Sequence, residues 1–199
     1  MPVSKPKVVL GIYGSPRKGG NTDQLLDRTL EGSRSEGALT RAIYARRLKI
    51  SGCIECGGCD ETGECVVKDD MQAVYGLLEE AGVIFLASPV FFYGLTSQVK
   101  ALVDRAQAMW SKRMLEKTPA QRKHYDGGDG YLIATGATKG ANLFEGVKLE
   151  AKYFFDALDM NFRGGLYYRK LEKPSDLAER PEALEEAFLL GRRAVLDSR

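Results

Sequence analysis

Short β-branched apolar runs alternate with amphipathic helical stretches along most of this chain, and that alternation restricts the fold more than any other feature. Lys7 to Tyr13 (KVVLGIY), Val83 to Ala87 (VIFLA) and Tyr131 to Thr135 (YLIAT) read as buried strands, stopped by Gly14, Ser88-Pro89 and Gly136. Ala38 to Tyr44 is a weaker strand and Met160 to Tyr168 a candidate last one. The first helix is expected from Asn21 or Thr22, acting as cap, with Leu25, Leu26, Thr29 and Leu30 on one face. Further helices are predicted at Asp70–Ala81, Thr96–Trp110, Ala141–Leu158 and Pro181–Leu196; in the third, Val99, Leu102, Val103 and Ala106 face inward. Such alternation folds as a parallel sheet covered on both faces. The polar segment 111–129 is too long for an ordinary connection, so an excursion or mobile flap is expected there.

The four cysteines of the chain all fall between positions 53 and 65, as Cys53-Ile-Glu-Cys56-Gly-Gly-Cys59-Asp-Glu-Thr-Gly-Glu-Cys65. The spacing is C-x2-C-x2-C-x5-C. Three thiols at two-residue intervals on a glycine-bearing backbone can converge on one inorganic centre, which suits the corners of an iron–sulfur cube. Structural zinc more often uses two C-x2-C knuckles with a long spacer between them. Disulfides are the third reading, but cysteines this close pair badly. Zinc-bound and free cysteines stay open as alternatives.

The bulk numbers remove several function classes. The chain of 199 residues suits one α/β domain over 1–199, and 44% hydrophobic with 28% charged residues is ordinary for a protein with a real core. A net charge of +2 without a basic stripe argues against nucleic acid. The pairs Arg46-Arg47 and Arg192-Arg193 read as solvated faces. No apolar run is long enough to cross a bilayer, and the charged start leads straight into a strand rather than a signal peptide. With reduced cysteines, a cytoplasmic location is expected.

After the first strand comes Gly14-Ser15-Pro16-Arg17-Lys18-Gly19-Gly20-Asn21-Thr22, then a helix. A glycine-rich loop at a helix N-terminus presents free N–H groups and the positive end of the helix dipole, and Ser15, Arg17, Asn21 and Thr22 add donors. This suits a terminal phosphate; a tight turn with a helix cap is the plainer reading. The loop is neither a nucleotide-triphosphate P-loop nor a dinucleotide fingerprint. Ligands of a doubly wound sheet sit beyond the carboxyl ends of the strands. The loop Ser88-Pro89-Val90-Phe91-Phe92-Tyr93-Gly94 is aromatic enough to line a flat ring, although loop-to-sheet packing would use the same residues. The loop Thr135 to Gly140 is small and rich in backbone donors.

GSPRKGGNT after the first strand and SPVFFYGLTSQVKALVDR after the third resemble the flavodoxin-like NADPH-dependent FMN reductase family. With the compact cysteine run, the chain resembles that family's branch of iron–sulfur flavoproteins. The resemblance implies a flavodoxin-like, doubly wound five-stranded parallel sheet in the order 2-1-3-4-5, with the cysteine loop (50–69) leaving after the second strand. It assigns Ser15, Arg17, Asn21 and Thr22 to the phosphate of FMN, and Pro89, Val90, Phe91, Tyr93 and Gly94 to its ribityl chain and ring. Thr135 and Gly136 would approach the other edge, and Cys53, Cys56, Cys59 and Cys65 would ligate a 4Fe–4S cluster.

The implied function is an oxidoreductase passing electrons between FMN, the cluster and an external donor or acceptor, with NAD(P)H as a candidate co-substrate. A small molecule such as a quinone, or a ferredoxin-like protein, would be the partner, and a homodimer or homotetramer is expected. No residue need act as acid, base or nucleophile; His124, the one histidine, reads as a surface residue. The alternatives are an NAD(P)H-dependent FMN or quinone reductase whose cysteines bind zinc or nothing, and a non-enzymatic FMN electron carrier.

Overall fold

The computed structural model describes residues 7–198. Five strands form one parallel sheet: β1 (Val8–Tyr13), β2 (Leu39–Tyr44), β3 (Val83–Pro89), β4 (Asp129–Gly136) and β5 (Asn161–Arg169). Their order is β2-β1-β3-β4-β5, as the resemblance implied. Six α-helices accompany them among the described residues: α1 (Asn21–Ser35), α2 (Met71–Glu80), α3 (Ser97–Arg105), α4 (Gln107–Glu116), α5 (Glu145–Ala157) and α6 (Pro181–Asp197).

Period-two alternation in the central strands sorts the core into two layers. Val9, Val83, Phe85, Tyr131 and Ile133 pack with Leu25, Leu26 and Leu30 of α1 and with Ala183, Ala187 and Leu190 of α6. Leu10, Ile12, Ile84, Leu86, Leu132 and Ala134 face the other way, toward Val74 of α2, Val99 and Leu102 of α3, and Val147 and Phe154 of α5. Both faces are therefore covered, and the carboxyl ends of the strands all point to one rim.

Two expectations change. The predicted helix Thr96–Trp110 is two helices divided at Ala106, whose N–H is shared between the carbonyls of Leu102 and Val103. After that tightened turn α4 runs on to Glu116, so Ser111–Glu116 belong to a helix and not to the polar excursion. The pull is electrostatic as well as apolar. Arg113, buried, reaches Asp156 at 3.1 Å and Asp159 at 2.8 Å. The remainder, 117–128, is clipped down by Lys117 to Asp126 (2.8 Å), Arg113 to the Arg122 carbonyl (2.7 Å) and the Tyr125 hydroxyl to Asp156 (2.7 Å). His124 is exposed, as expected.

Candidate functional site

The first site lies at the rim. β1 ends at Gly14, where a Cβ would meet the Ala87 carbonyl at 2.7 Å and collide with Val99, so only glycine lets the chain turn away between β3 and α3. The Gly14 N–H donates to Ala87 (2.7 Å) and its carbonyl accepts from the Thr96 hydroxyl (2.6 Å), which fixes where the glycine-rich loop starts. Inside the loop, the Arg17 N–H donates to Ser15 Oγ (3.1 Å) and the Gly19 N–H to Asp23 Oδ2 (3.0 Å).

Neither Asn21 nor Thr22 caps α1. The N-cap is Gly20, and no side chain bonds to the first turn. The sequence expectation of an Asn or Thr cap is thus corrected: glycine in that place leaves the helix-start N–H groups without a side-chain acceptor, open to an anion. Asn21 instead donates one amide N–H to the Lys173 carbonyl (3.0 Å), and its Oδ1 is buried with no partner. Its second N–H and that oxygen remain available to a ligand.

Ser15, Arg17, Asn21 and Thr22 come together with Pro89, Val90, Phe91, Thr135 and Gly136 around one cleft of about 140 Å3. Thr135 is tied to the neighbouring loop, since its carbonyl accepts from the Val90 N–H at 2.8 Å. Leu171, Glu172 and Pro174, on the loop after β5, complete the wall and were not anticipated from the sequence. Their signal was topological: a parallel last strand delivers its carboxyl end to the same rim. Arg17 is exposed at the mouth, bonded to the Glu172 carbonyl (3.3 Å).

Tyr93 and Gly94 stand outside this cleft lining. Phe91 and Gly94 exchange backbone bonds of 3.0 and 2.9 Å around a tight turn whose central residues, Phe92 and Tyr93, have φ of 49° and 64°. Left-handed backbone at two bulky residues costs on the order of 1–3 kcal/mol each. The turn pushes the Phe92 side chain fully into solvent, at 104% relative exposure. Loop-to-sheet packing does not account for such a residue.

Arg46 also departs from expectation. It was read as part of a solvated face, yet its side chain is only 11% exposed, bonded to Asp23 (3.0 Å) and to the Ser15 carbonyl (3.3 Å) behind the glycine-rich loop. Burial raises the Asp23 pKa above the ordinary carboxylate value, with the Gly19 N–H and Arg46 pulling the other way.

The second site is the cysteine loop, which leaves after β2. Its two ends are clipped together by Asp69 and Asp70: Asp70 accepts from the Lys49 N–H (2.7 Å), and Asp69 from the Ser51 N–H (3.0 Å). Arg105 of α3 inserts between them. Its Nη1 donates to Asp69 (2.8 Å) and to the Ser51 carbonyl (3.1 Å), and its Nη2 to the Val67 carbonyl (3.2 Å). Burial opposes both charges. Even so, their mutual hydrogen bond holds Asp69 below, and Arg105 above, its ordinary pKa.

Cys53, Cys56, Cys59 and Cys65 line one cavity of about 610 Å3, together with Val66, Val67, Arg105 and Ala108. None of the four is paired in a disulfide; Cys53 and Cys56 are exposed, Cys59 and Cys65 half-buried. Two donors already point at sulfur. The Glu55 N–H donates to Cys53 Sγ (3.4 Å), made possible by a left-handed Glu55 (φ 51°), and Ser111 Oγ lies 3.6 Å from Cys59 Sγ. Among the described residues no three His, Cys, Asp or Glu side chains gather closely enough for a single metal ion. The thiols stand around a space rather than at a point.

The family described as NADPH-dependent FMN reductase matches residues 8–167. The chain belongs to this family. It is 41% identical over 96 residues to an iron-sulfur flavoprotein of Archaeoglobus fulgidus, covering 48% of this chain and 44% of that one. It is 39% identical over 101 residues to an iron-sulfur flavoprotein of Methanocaldococcus jannaschii, covering 51% and 52%. The chain therefore spans about half the length of these relatives in what it matches. A solved flavodoxin from the domain Archaea superposes with a TM-score of 0.52 at 18% identity, covering 96% of this chain and 97% of that one, which supports the flavodoxin-like fold. Among the described residues no helix is long and apolar enough to cross a membrane.

Proposed function

We infer that the chain is an FMN-dependent oxidoreductase that passes electrons between FMN, a 4Fe–4S cluster and an external donor or acceptor. The observation that carries this reading is the meeting of all four cysteines on one cavity, separate from the phosphate cleft.

The residues suit both groups. At the rim, an uncapped helix start and the unpartnered Asn21 Oδ1 match a phosphate and a neighbouring hydroxyl. At the loop, four thiols around a cavity, with an N–H directed at one of them, suit a centre in which each iron takes its own sulfur. When bound, FMN would supply hydride acceptance and single-electron release, and the cluster single-electron carriage.

The chain's own part is to bind, orient and shield. Ser15, Arg17, Asn21 and Thr22 would hold the phosphate, with α1 directing its positive end at it. Pro89, Val90 and Phe91 would wall one side of the ribityl chain and ring, and Thr135 and Gly136 the other. Tyr93 and Gly94 would act at the ring's outer edge, where the strained turn presents its aromatic side chains. Cys53, Cys56, Cys59 and Cys65 would bind iron, and the acidic residues Glu55, Asp60, Glu61 and Glu64 lie exposed around them. Exposed Phe92 and half-exposed Trp110 support a homodimer or homotetramer.

A small molecule such as a quinone, or a ferredoxin-like protein, would be the partner, and NAD(P)H the reductant. The experiment is steady-state oxidation of NADPH and of NADH by FMN-loaded protein with an artificial acceptor. Turnover above that of free FMN supports the enzyme; none with either nucleotide leaves an electron carrier.

A further inference from the structure

The cavity holding the four cysteines contains a side chain that the expected chemistry does not use. Arg105 is 1% exposed, the largest fully buried side chain among the described residues, and it sits at the end of a helix whose other inward residues are Val99 and Leu102. A buried guanidinium costs a great deal unless its charge and all its donors find work. Nη1 and Nη2 bond to Asp69, Ser51 and Val67, but Nε is buried with no partner at all. One carboxylate balances the charge, yet one N–H is left over on a residue that lines the thiol cavity.

We propose that Arg105 is a positioning residue of the cysteine centre, clipping the two ends of the loop and giving its remaining N–H and its fixed charge to the sulfur-lined cavity. The proposal rests on the cluster reading given above. Apart from its partner Asp69, the charges of the loop are exposed, the four acids Glu55, Asp60, Glu61 and Glu64 against the single cation Lys68, and water and salt screen them. Arg105 is the most deeply buried of these charges, and though Asp69 balances it on the Nη1 side, its unpartnered Nε–H is screened least by water. A cation beside a cluster favours the reduced, more negative state, and a hydrogen bond to sulfur acts in the same direction. The exposed acids alone would lower the potential; Arg105 raises it.

A mere structural clip would change how much cluster is retained but not its potential, and this separates the two roles. The test uses the holoprotein prepared without oxygen, as parent, Arg105→Met and Arg105→Lys, with FMN content as the check on folding. Iron and acid-labile sulfide are measured, and the cluster potential is titrated spectroscopically. In Arg105→Met the reduction equilibrium should shift at least tenfold toward the oxidised form, about 59 mV more negative for one electron. Arg105→Lys keeps the charge and loses the fork, so it should hold less iron at a potential close to the parent's.

An Arg105→Met protein with parental iron and an unmoved potential overturns the proposal. If Arg105→Met keeps FMN but no iron, Arg105→Lys decides: iron at the parental potential supports the role of charge, and loss of iron there too overturns it. A parent without iron sinks the cluster reading itself, a result distinct from every outcome in the variants.

Discussion

Arg46 and Asp23 form an ion pair of 3.0 Å directly behind the glycine-rich loop, with both side chains largely buried. Asp23 holds the Gly19 N–H and Arg46 holds the Ser15 carbonyl, so the pair braces the loop from the protein side. Removing one member of a buried pair leaves the other charge stranded, and Arg46→Ala should cost about 3–5 kcal/mol. Denaturant unfolding measures it. The pH dependence has a definite sign. The folded-state pKa of Asp23 already lies above its ordinary value of 3.8, and losing Arg46 raises it further. The native state of the variant then binds a proton more readily than the unfolded chain. Its deficit relative to the parent should narrow as pH falls through that raised pKa.

Asp69 has the opposite sign. Burial works against its carboxylate, but bonds from Arg105, Ser51 and Met71 hold its pKa below 3.8. The stabilisation this gives is fully present above the unfolded value, near pH 4, and is lost as pH falls through the depressed one. Acid should therefore loosen the ends of the cysteine loop. Limited proteolysis between 49 and 70 with an acid-active protease would report it. Asp69→Asn should be cleaved more readily at neutral pH and show less further change on acidification.

The phosphate assignments are ranked by burial. Asn21 is enclosed with an unpartnered oxygen, whereas Arg17 lies at the mouth in solvent. Asn21→Ala should weaken FMN retention by about 1–3 kcal/mol and Arg17→Ala by less, in line with one buried against one exposed hydrogen bond. Dialysis followed by flavin absorbance compares them. Equal retention in parent and double variant would remove the phosphate assignment.

The parallel sheet, and the meeting of the glycine-rich loop with the loops after β3 and β4 at one cleft, were legible in the sequence for plain reasons, while the strand order came with the family resemblance. Val83–Ala87 and Val9–Tyr13 are buried on both faces, so their apolar runs are unbroken, and the glycine-rich loop after β1 can lead only to the rim. The residues that brace the sites were not legible. Arg46 and Arg105 are charged, and nothing local distinguishes a buried arginine from a solvated one; their partners lie 23 and 36 residues away. The break at Ala106 was hidden too, because it involves neither proline nor glycine. Leu171 and Glu172 reach the cleft by topology alone. Asn21 and Thr22 looked like caps because both carry a side-chain acceptor, whereas the cap, Gly20, ranks no higher than Thr and has no side chain to mark it.

A packing prediction lies far from either site. A Cβ on Gly191 of α6 would collide with the Thr29 carbonyl and come within 3.0 Å of the Ser33 N, and one on Gly32 of α1 would collide with the Phe188 carbonyl. The two helices meet backbone to backbone, sealed by the Ser33 hydroxyl donating to the Gly191 carbonyl (3.2 Å). Gly191→Ala should destabilise by about 1–3 kcal/mol through overpacking against backbone that cannot yield. Thermal unfolding should show the loss, with FMN affinity of the folded protein unchanged.

The central claim is that the cysteines hold a cluster beside a flavin, and iron, acid-labile sulfide and FMN analysis of anaerobically purified protein tests it most directly. The account predicts about four iron and four sulfide per chain alongside FMN, with a broad visible shoulder. In Cys56→Ser that shoulder should fall sharply while the flavin bands persist, because the two sites share no lining residue. A parent with FMN but neither iron nor sulfide would contradict the account: zinc at about one per chain would make the loop a structural metal site, and no metal at all would leave a plain flavin reductase.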